Sequence, residues 1–306
     1  MTTLSSRIEL GRFFQETTDP ALQESADRGQ VELLDYRQLY LLWERQQWRT
    51  QEIEFEQDRE DWWGFPEEER RQRMYGLSSF FVGEQRVTDE LGPMLRAAPT
   101  EDMRIFLSTQ IADEARHVRF FDRFYSEVGL LDSENLSARL EETSAHLNPA
   151  FDTLFEEMLG TRVQRLAEEP SDLEALVEAV TLYHMVIEGM LALTGQHFII
   201  DYNERNGTLP GFVRGFNFVA RDEHRHVAFG ARFLRDMVAE RPEFKQSIQR
   251  TLEEAMLVAD KVLSPPWIED TADYEVFGVN INETRTFAAQ ALTRRLKVIG
   301  LTPAAA

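Results

Sequence analysis

Apolar residues recur at spacings of three and four along most of the chain, and no long run alternates apolar with polar. That period predicts helices almost throughout. Breakers and caps divide them. Pro66 followed by Glu67, Glu68 and Glu69 reads as a first turn, with acids beside the positive end of the helix dipole. The helix it opens is expected over 67–91, stopping before Gly92-Pro93. Thr100 fits an N-cap and Gly129 a C′ residue, bounding a helix over 100–129. Another is expected from Pro149 to just before Pro170. Ser171-Asp172-Leu173-Glu174 fits a capping box that opens a helix over 171–206, ahead of Gly207. Pro210 opens the next, over 210–241, which stops before Pro242. Further helices are expected near 35–55, ahead of Pro265-Pro266, and over 280–299. Residues 1–30 and 267–278 are the least regular. No linker or low-complexity tract interrupts the pattern, so one domain over 1–306 is expected. Long helices with short connections predict an all-α bundle.

Four of these helices place a glutamate inside the apolar stripe. Neighbours three and four residues away share a helix face and report its surroundings. Around Glu84 they are Phe80, Phe81, Val87 and Thr88; around Glu188, His184, Met185, Leu191 and Ala192. Around Glu114 they are Gln110, Ile111, His117 and Val118; around Glu223, Val219, Ala220, His226 and Val227. An ionised carboxylate in such company is costly unless paired or bound to a cation. Glu114-x-x-His117 and Glu223-x-x-His226 each stack a carboxylate and an imidazole on one face. A lone glutamate on each of two helices plus Glu-x-x-His on each of two others is the ligand set of dinuclear carboxylate bundles. Carboxylate with imidazole suits iron and manganese, and four carboxylates balance two divalent ions. One Glu-x-x-His by itself is a weak signal. Two of them, each following a lone-glutamate helix, form a pattern. His224 falls off the ligand face. His184, one turn before Glu188, reads either as a partner of the ligands or as a packed core residue. His146 and His197 carry no ligand signal.

Composition narrows the field. The chain has no cysteine, which excludes disulfides and thiolate metal sites. A formal net charge of −21 argues against nucleic-acid partners. Lysine occurs only at positions 245, 261 and 297. Acid excess with little lysine fits either a salt-rich cytoplasm or a genome biased toward arginine codons. No uninterrupted apolar run reaches the roughly 20 residues of a membrane span. The opening residues lack the pattern of a secretory signal, so a cytoplasmic location is expected.

The residues at this point resemble a known group, the ferritin-like proteins related to the small subunit of ribonucleotide reductase. Trp48, in QWRTQEIEFEQDREDW, resembles the tryptophan segment ahead of the first ligand helix. Glu84, Glu114, His117, Glu188, Glu223 and His226 follow in the family's order. The resemblance implies a ferritin-like four-helix core with additional helices. It also implies that Asp222 bonds a ligand histidine, His117, and that Trp48 is either a redox relay or an ordinary buried aromatic. GEQRVT, holding Glu84 and Val87, and VIEGMLALTG, holding Glu188, are similar to the ligand-binding oxidase branch. That branch implies a manganese/iron pair, with Glu84, Glu114 and His117 on the manganese side and Glu188, Glu223 and His226 on the iron side. The same ligands accept two irons. The resemblance further implies O2 activation for two-electron oxidation of a C–H bond and a bound long-chain fatty acid contacting the metals. An ether cross-link is implied between Val87 and Tyr183, with an electron donor of unknown identity and a homodimeric assembly. Tyr183 lies five positions before Glu188, which on an α-helix sets it well round from the ligand face. Gln196 departs from the pattern, standing where the oxidases carry an aromatic.

Three other readings compete. A reductase small subunit carries its radical tyrosine four positions after the first motif's histidine, where this chain has Phe121. A manganese/iron variant of that subunit tolerates phenylalanine there. Such a subunit also needs a longer tyrosine-bearing tail than the residues after Ile299 provide. A ferritin-type metal store would be closer to a bare bundle. A fatty-acid desaturase or arylamine oxygenase on the same scaffold fits GEQRVT and VIEGMLALTG less well.

Overall fold

The structure is a computed structural model describing residues 33–268 and 274–301. Helix α1 (Tyr36–Arg45) is followed by a 3-10 turn (Thr50–Glu52) and α2 (Glu56–Gly64). Then come α3 (Glu67–Ala97), α4 (Glu101–Val128) and α5 (Leu136–Ser144). Helix α6 runs continuously through Pro149–Asp152, a π-helical stretch Thr153–Gly160, and Thr161–Glu168. Helix α7 (Leu173–Asn206) contains a second π-helical stretch, Thr181–Ala192. Helix α8 (Pro210–Glu240), α9 (Phe244–Val262), a two-residue hairpin of β1 (Glu275–Val276) and β2 (Val279–Asn280), and α10 (Ile281–Ile299) complete the order. The expected irregular extension over residues 1–30 lies outside the described residues.

The four long helices α3, α4, α7 and α8 form the core. Residues 98–100 turn α3 back onto α4, and 207–209 turn α7 back onto α8, so each short connection joins antiparallel neighbours. Helices α1 and α2 pack on α4 and α8, while α9 and α10 pack on the π-helical part of α7. Apolar residues gather in two clusters. One holds Phe81, Val118 and Val219; the other holds Val87, Phe106 and Val227. On α3, α4 and α8 the glutamates of the sequence pattern fall between members of the two. The most apolar window of α7 has the length and hydropathy of a membrane span, yet 94% of it is buried inside the bundle.

Several expected boundaries hold. The Thr100 hydroxyl accepts the Met103 N–H, and Gly129 ends α4 at φ 77°. Asn280 caps α10. Others change for tertiary reasons. Helix α3 runs through Gly92-Pro93 to Ala97. An interior proline costs about 3 kcal/mol. Burying Leu91 and Met94 completely offsets it, at about 1.5–3 kcal/mol each. The cap of α7 is Asp172, which accepts the Ala175 N–H, and not Ser171; Glu174 bonds Ser247 and Arg250 on α9 instead. The helix expected near 35–55 ends at Arg45, because Gln46 accepts hydrogen bonds from Arg221 and Arg225 of α8. Helix α8 has no side-chain cap of its own. Asp58 of α2 accepts the Gly211 and Phe212 N–H groups, and Asp61 accepts that of Leu209, held at φ 51°.

Candidate metal centre

The six side chains named by spacing converge in the middle of the core. Glu84, Glu114, His117, Glu188, Glu223 and His226 are all buried. Their ligand atoms fall into two overlapping quartets, each within 4.8 Å: Glu84, Glu114, His117 and Glu223, then Glu114, Glu188, Glu223 and His226. His117 Nδ1 lies 3.2 Å from Glu84 Oε2, 3.2 Å from Glu114 Oε2 and 3.5 Å from Glu223 Oε1. His226 Nδ1 lies 3.2 Å from Glu114 Oε1, 3.2 Å from Glu188 Oε1 and 3.7 Å from Glu223 Oε2. Glu114 and Glu223 therefore turn one oxygen to each quartet, while Glu84 and Glu188 serve one apiece.

The donor set fits a pair of divalent ions. Glu114 Oε2, Glu188 Oε2, Glu223 Oε2 and His226 Nδ1 are buried and make no hydrogen bond. Such orphaned polar atoms are costly unless something satisfies them. Hard oxygen and imidazole nitrogen suit iron and manganese.

Behind each imidazole stands a carboxylate. His117 Nε2 is 3.3 Å from Asp222 Oδ2, and His226 Nε2 is 3.3 Å from Asp113 Oδ2. A partner on the second ring nitrogen fixes the tautomer and the ring plane, leaving Nδ1 for the cage. Each aspartate serves the histidine of the opposite helix. Each also accepts an indole N–H: Trp48 Nε1 donates to Asp222 at 2.7 Å and Trp43 Nε1 to Asp113 at 2.9 Å. Arg225 donates to Asp113 at 2.8 Å and Asp222 at 2.7 Å, and Arg116 reaches the same two aspartates. Burial alone would raise the Asp222 carboxyl; Arg225, His117 and Trp48 hold it well below the usual carboxylate range. The expected Asp222–His117 bond is present. Asp113, Arg116, Arg225 and Trp43 had not been singled out. For Asp113, Arg116 and Arg225 the signal was the repeat itself, Asp-Glu-x-Arg-His at both 113–117 and 222–226, which does not reach Trp43.

Tyr183 corrects its expected position. It lies within the π-helical stretch of α7, where hydrogen bonds span five residues and i, i+5 positions stack. Tyr183 therefore sits on the Glu188 face, and its hydroxyl donates to Glu114 Oε1 at 2.8 Å. Burial, then Glu114 and Glu188, push the phenol well above its ordinary pKa, so it keeps its proton. His184 bonds Gln110 and joins neither quartet. His224 is half-buried and bonds the Ala220 carbonyl. Phe121, buried among Phe80, Phe81, Phe212 and Phe216, puts no phenol where a radical tyrosine would stand.

A channel of about 150 Å³ leads to the cage. Phe80, Phe151, Phe155, Ile187, Leu191 and Phe198 line its walls, and Gly76, Gly83 and Gly195 widen it. Its polar end is formed by the four cage glutamates, with Val87 and Tyr183 beside them. Gln196 is buried but does not line the channel.

The model of the ribonucleotide reductase small chain family matches residues 30–304. The chain belongs to that family. Among solved structures with the family's fold are variants of an R2-like ligand-binding oxidase with reconstituted Mn/Fe cofactor. A valine-to-leucine variant is 25% identical, covering 87% of this chain and 93% of its own, with a TM-score of 0.75. A valine-to-isoleucine variant, anaerobically reconstituted, is 23% identical over 89% of this chain and 94% of its own, with a TM-score of 0.74. The aerobically reconstituted form of that variant is 24% identical over 87% and 94%, with a TM-score of 0.75.

Burial and the mutual charges of the cage favour protons on it when no ion is bound. Burial alone would lower His117 and His226; Glu84 and Asp222 for the first, and Glu114 and Asp113 for the second, carry both well above the usual imidazole value. Burial raises Glu84, Glu188 and Glu223, whereas His226 and His117 overcome burial and hold Glu114 low. Raised folded-state values contribute stability below the unfolded pKa values and lose it as pH climbs through the folded ones. Ions replace those protons. The gap in melting temperature between metal-loaded and metal-free protein is therefore expected to widen from about pH 6 to about pH 8. Thermal melts at the two values check this, and a constant or narrowing gap would contradict it.

Proposed function

We propose that this chain is a dinuclear oxidase that uses O2 for the two-electron oxidation of a C–H bond. The observation that carries the reading is the cage with Glu114 and Glu223 in both quartets, opening onto an apolar channel. Glu84, Glu114, His117, Glu188, Glu223 and His226 hold the pair, manganese with iron or two irons. Bound ions of this kind supply the redox chemistry by which O2 accepts electrons. Glu84, Glu114 and His117 form the manganese side, and Glu188, Glu223 and His226 the iron side. Asp113 and Asp222 hold the two imidazoles in one tautomer.

The channel takes a long-chain fatty acid, with apolar walls around the chain and its carboxylate toward the cage. Phenylalanine walls exclude water from the reacting end. The first bond attacked is Val87 Cβ–H. Val87 loses that hydrogen and Tyr183 its hydroxyl hydrogen, a C–O bond forms, and O2 takes both electrons and both protons. Tyr183 holds its hydroxyl proton on Glu114 in the resting site. Trp48, bonded to Asp222 and stacked 6.4 Å from the His117 ring, is the candidate electron relay.

Aerobic loading with manganese and iron, followed by intact and peptide mass spectrometry, tests the reading. The expected product is lighter by two hydrogens than the anaerobic control, with the Val87 and Tyr183 peptides joined, and Tyr183→Phe abolishes the join. An unchanged mass with both ions bound would remove the cross-link and favour the reductase-subunit or metal-store readings.

A further inference from the structure

Gln110 is fully buried on α4, one turn before Glu114, and it bonds two of the six cage residues, Glu114 and Glu188. Its Nε2 lies 2.9 Å from Glu188 Oε1, 3.0 Å from the Tyr183 oxygen and 3.4 Å from Glu114 Oε1. Its Oε1 lies 3.1 Å from His184 Nε2. We propose that Gln110, oriented by His184, is a positioning residue that fixes the direction of the Tyr183 hydroxyl and so steers its coupling to Val87.

The chemistry of the partners sets every direction in this chain of bonds. The Tyr183 hydroxyl gives its hydrogen to Glu114 and can only accept from Gln110, so the face of Gln110 toward it and Glu188 is its NH2 group. The amide oxygen then faces His184, whose Nε2 must carry the hydrogen. His184 is neutral, its pKa lowered to about 3 by burial and then by His226, so it has a single N–H to give. The Tyr183 oxygen receives a hydrogen bond from Gln110 and sends its own hydrogen to Glu114. One lone pair on that oxygen remains for an incoming carbon. Val87 and Tyr183 line the same channel.

The seat of His184 is built for this task. A Cβ at Gly230 would come within 2.3 Å of the His184 Cβ, so only glycine lets α8 lie this close. Tyr183 and His184 are adjacent in the π-helical stretch, which aims one at Glu114 and the other at Gln110. Without the Gln110 NH2, the phenol keeps only its bond to Glu114 to set its direction, and Glu188 loses a donor. Misplacing a reacting group by about 1 Å costs on the order of 100-fold in rate. Competing fates of the oxidising equivalents then gain over the ether.

This inference rests on the proposed Val87–Tyr183 coupling, and its test separates the two. Gln110→Leu, and Gln110→Met as a second variant of closer shape, are loaded with zinc without oxygen. The tyrosine Fermi doublet is then read by resonance Raman as a difference against Tyr183→Phe. Both variants are expected to bind two ions as the parent does and to shift the Tyr183 doublet. After aerobic loading with manganese and iron, the cross-linked fraction per loaded pair is expected to fall about tenfold or more. His184→Leu should shift both readouts in the same direction by less. A parental doublet or a parental cross-linked fraction in both Gln110 variants would overturn the proposal. Loss of zinc from both would overturn it too, making Gln110 a support of the cage alone. If the parent itself forms no cross-link, the oxidase reading fails on its own, and the doublet still decides how Gln110 orients the phenol.

Discussion

Glu114→Ala is expected to strip the protein of both ions, where Glu84→Ala strips it of one. Glu114 is the residue whose two oxygens stand 3.2 Å from both cage imidazoles, Oε2 at His117 and Oε1 at His226. Removing it takes a ligand from each quartet and one negative charge from a cage whose four carboxylates balance two divalent ions. Glu84 belongs to one quartet only. Altering a mere partner of a ligand costs about 10–100-fold in metal affinity. Loss of a shared ligand should exceed that for both ions. Metal analysis after dialysis gives the stoichiometry, and a melt of the metal-free protein shows whether the bundle is intact. Two ions retained by a folded Glu114→Ala protein would remove the ligand assignment.

Arg225→Leu should destabilise the protein by about 3–5 kcal/mol, the cost of leaving a buried charge without its partner. The Arg225 side chain is 2% exposed and joins Asp113 and Asp222, whose side chains are 1% and 0% exposed. With Arg225 gone, the two buried carboxylates keep Arg116, the more distant Arg221, the indole N–H groups and the histidines they orient. Arg116→Leu should cost less, because its side chain is 15% exposed and water can replace part of its role. The lesion should also weaken metal binding by about 10–100-fold, since both aspartates lose their anchor and both imidazoles their fixed plane. Thermal unfolding with and without ions separates the two effects. Parental stability in Arg225→Leu would mean that the arginine is not what anchors the aspartates.

Both variants probe features that lay in the chain as spacing. Helix periodicity and Glu-x-x-His were enough to bring Glu84, Glu114, His117, Glu188, Glu223 and His226 to one point, because an i, i+3 pair shares a face whatever the helix packs against. Thr100, Gly129 and Asn280 were legible for the same reason, since a cap acts within its own turn. Asp222 came from the family resemblance, and Asp113 was equally visible in the repeat of Asp-Glu-x-Arg-His.

What escaped the reading involves two helices at once. Helix α3 passes Pro93 because burial of Leu91 and Met94 outweighs a local penalty. Helix α8 starts where it does because Asp58 and Asp61, some 150 positions earlier, cap it. Tyr183 faces the cage only because Thr181–Ala192 winds as a π-helix, a five-residue register that α-helical spacing cannot foresee. Gln110 acquires its role from His184 on another helix and from Gly230 on a third, which lets the two meet. The sequence by itself determined the four long helices and the glutamates and histidines buried on them, because local period and local caps set both. Only the tertiary structure decided that Asp113 grips His226, where the channel opens and where the phenol points. Those depend on distances between helices, and side-chain spacing along one helix carries no record of them.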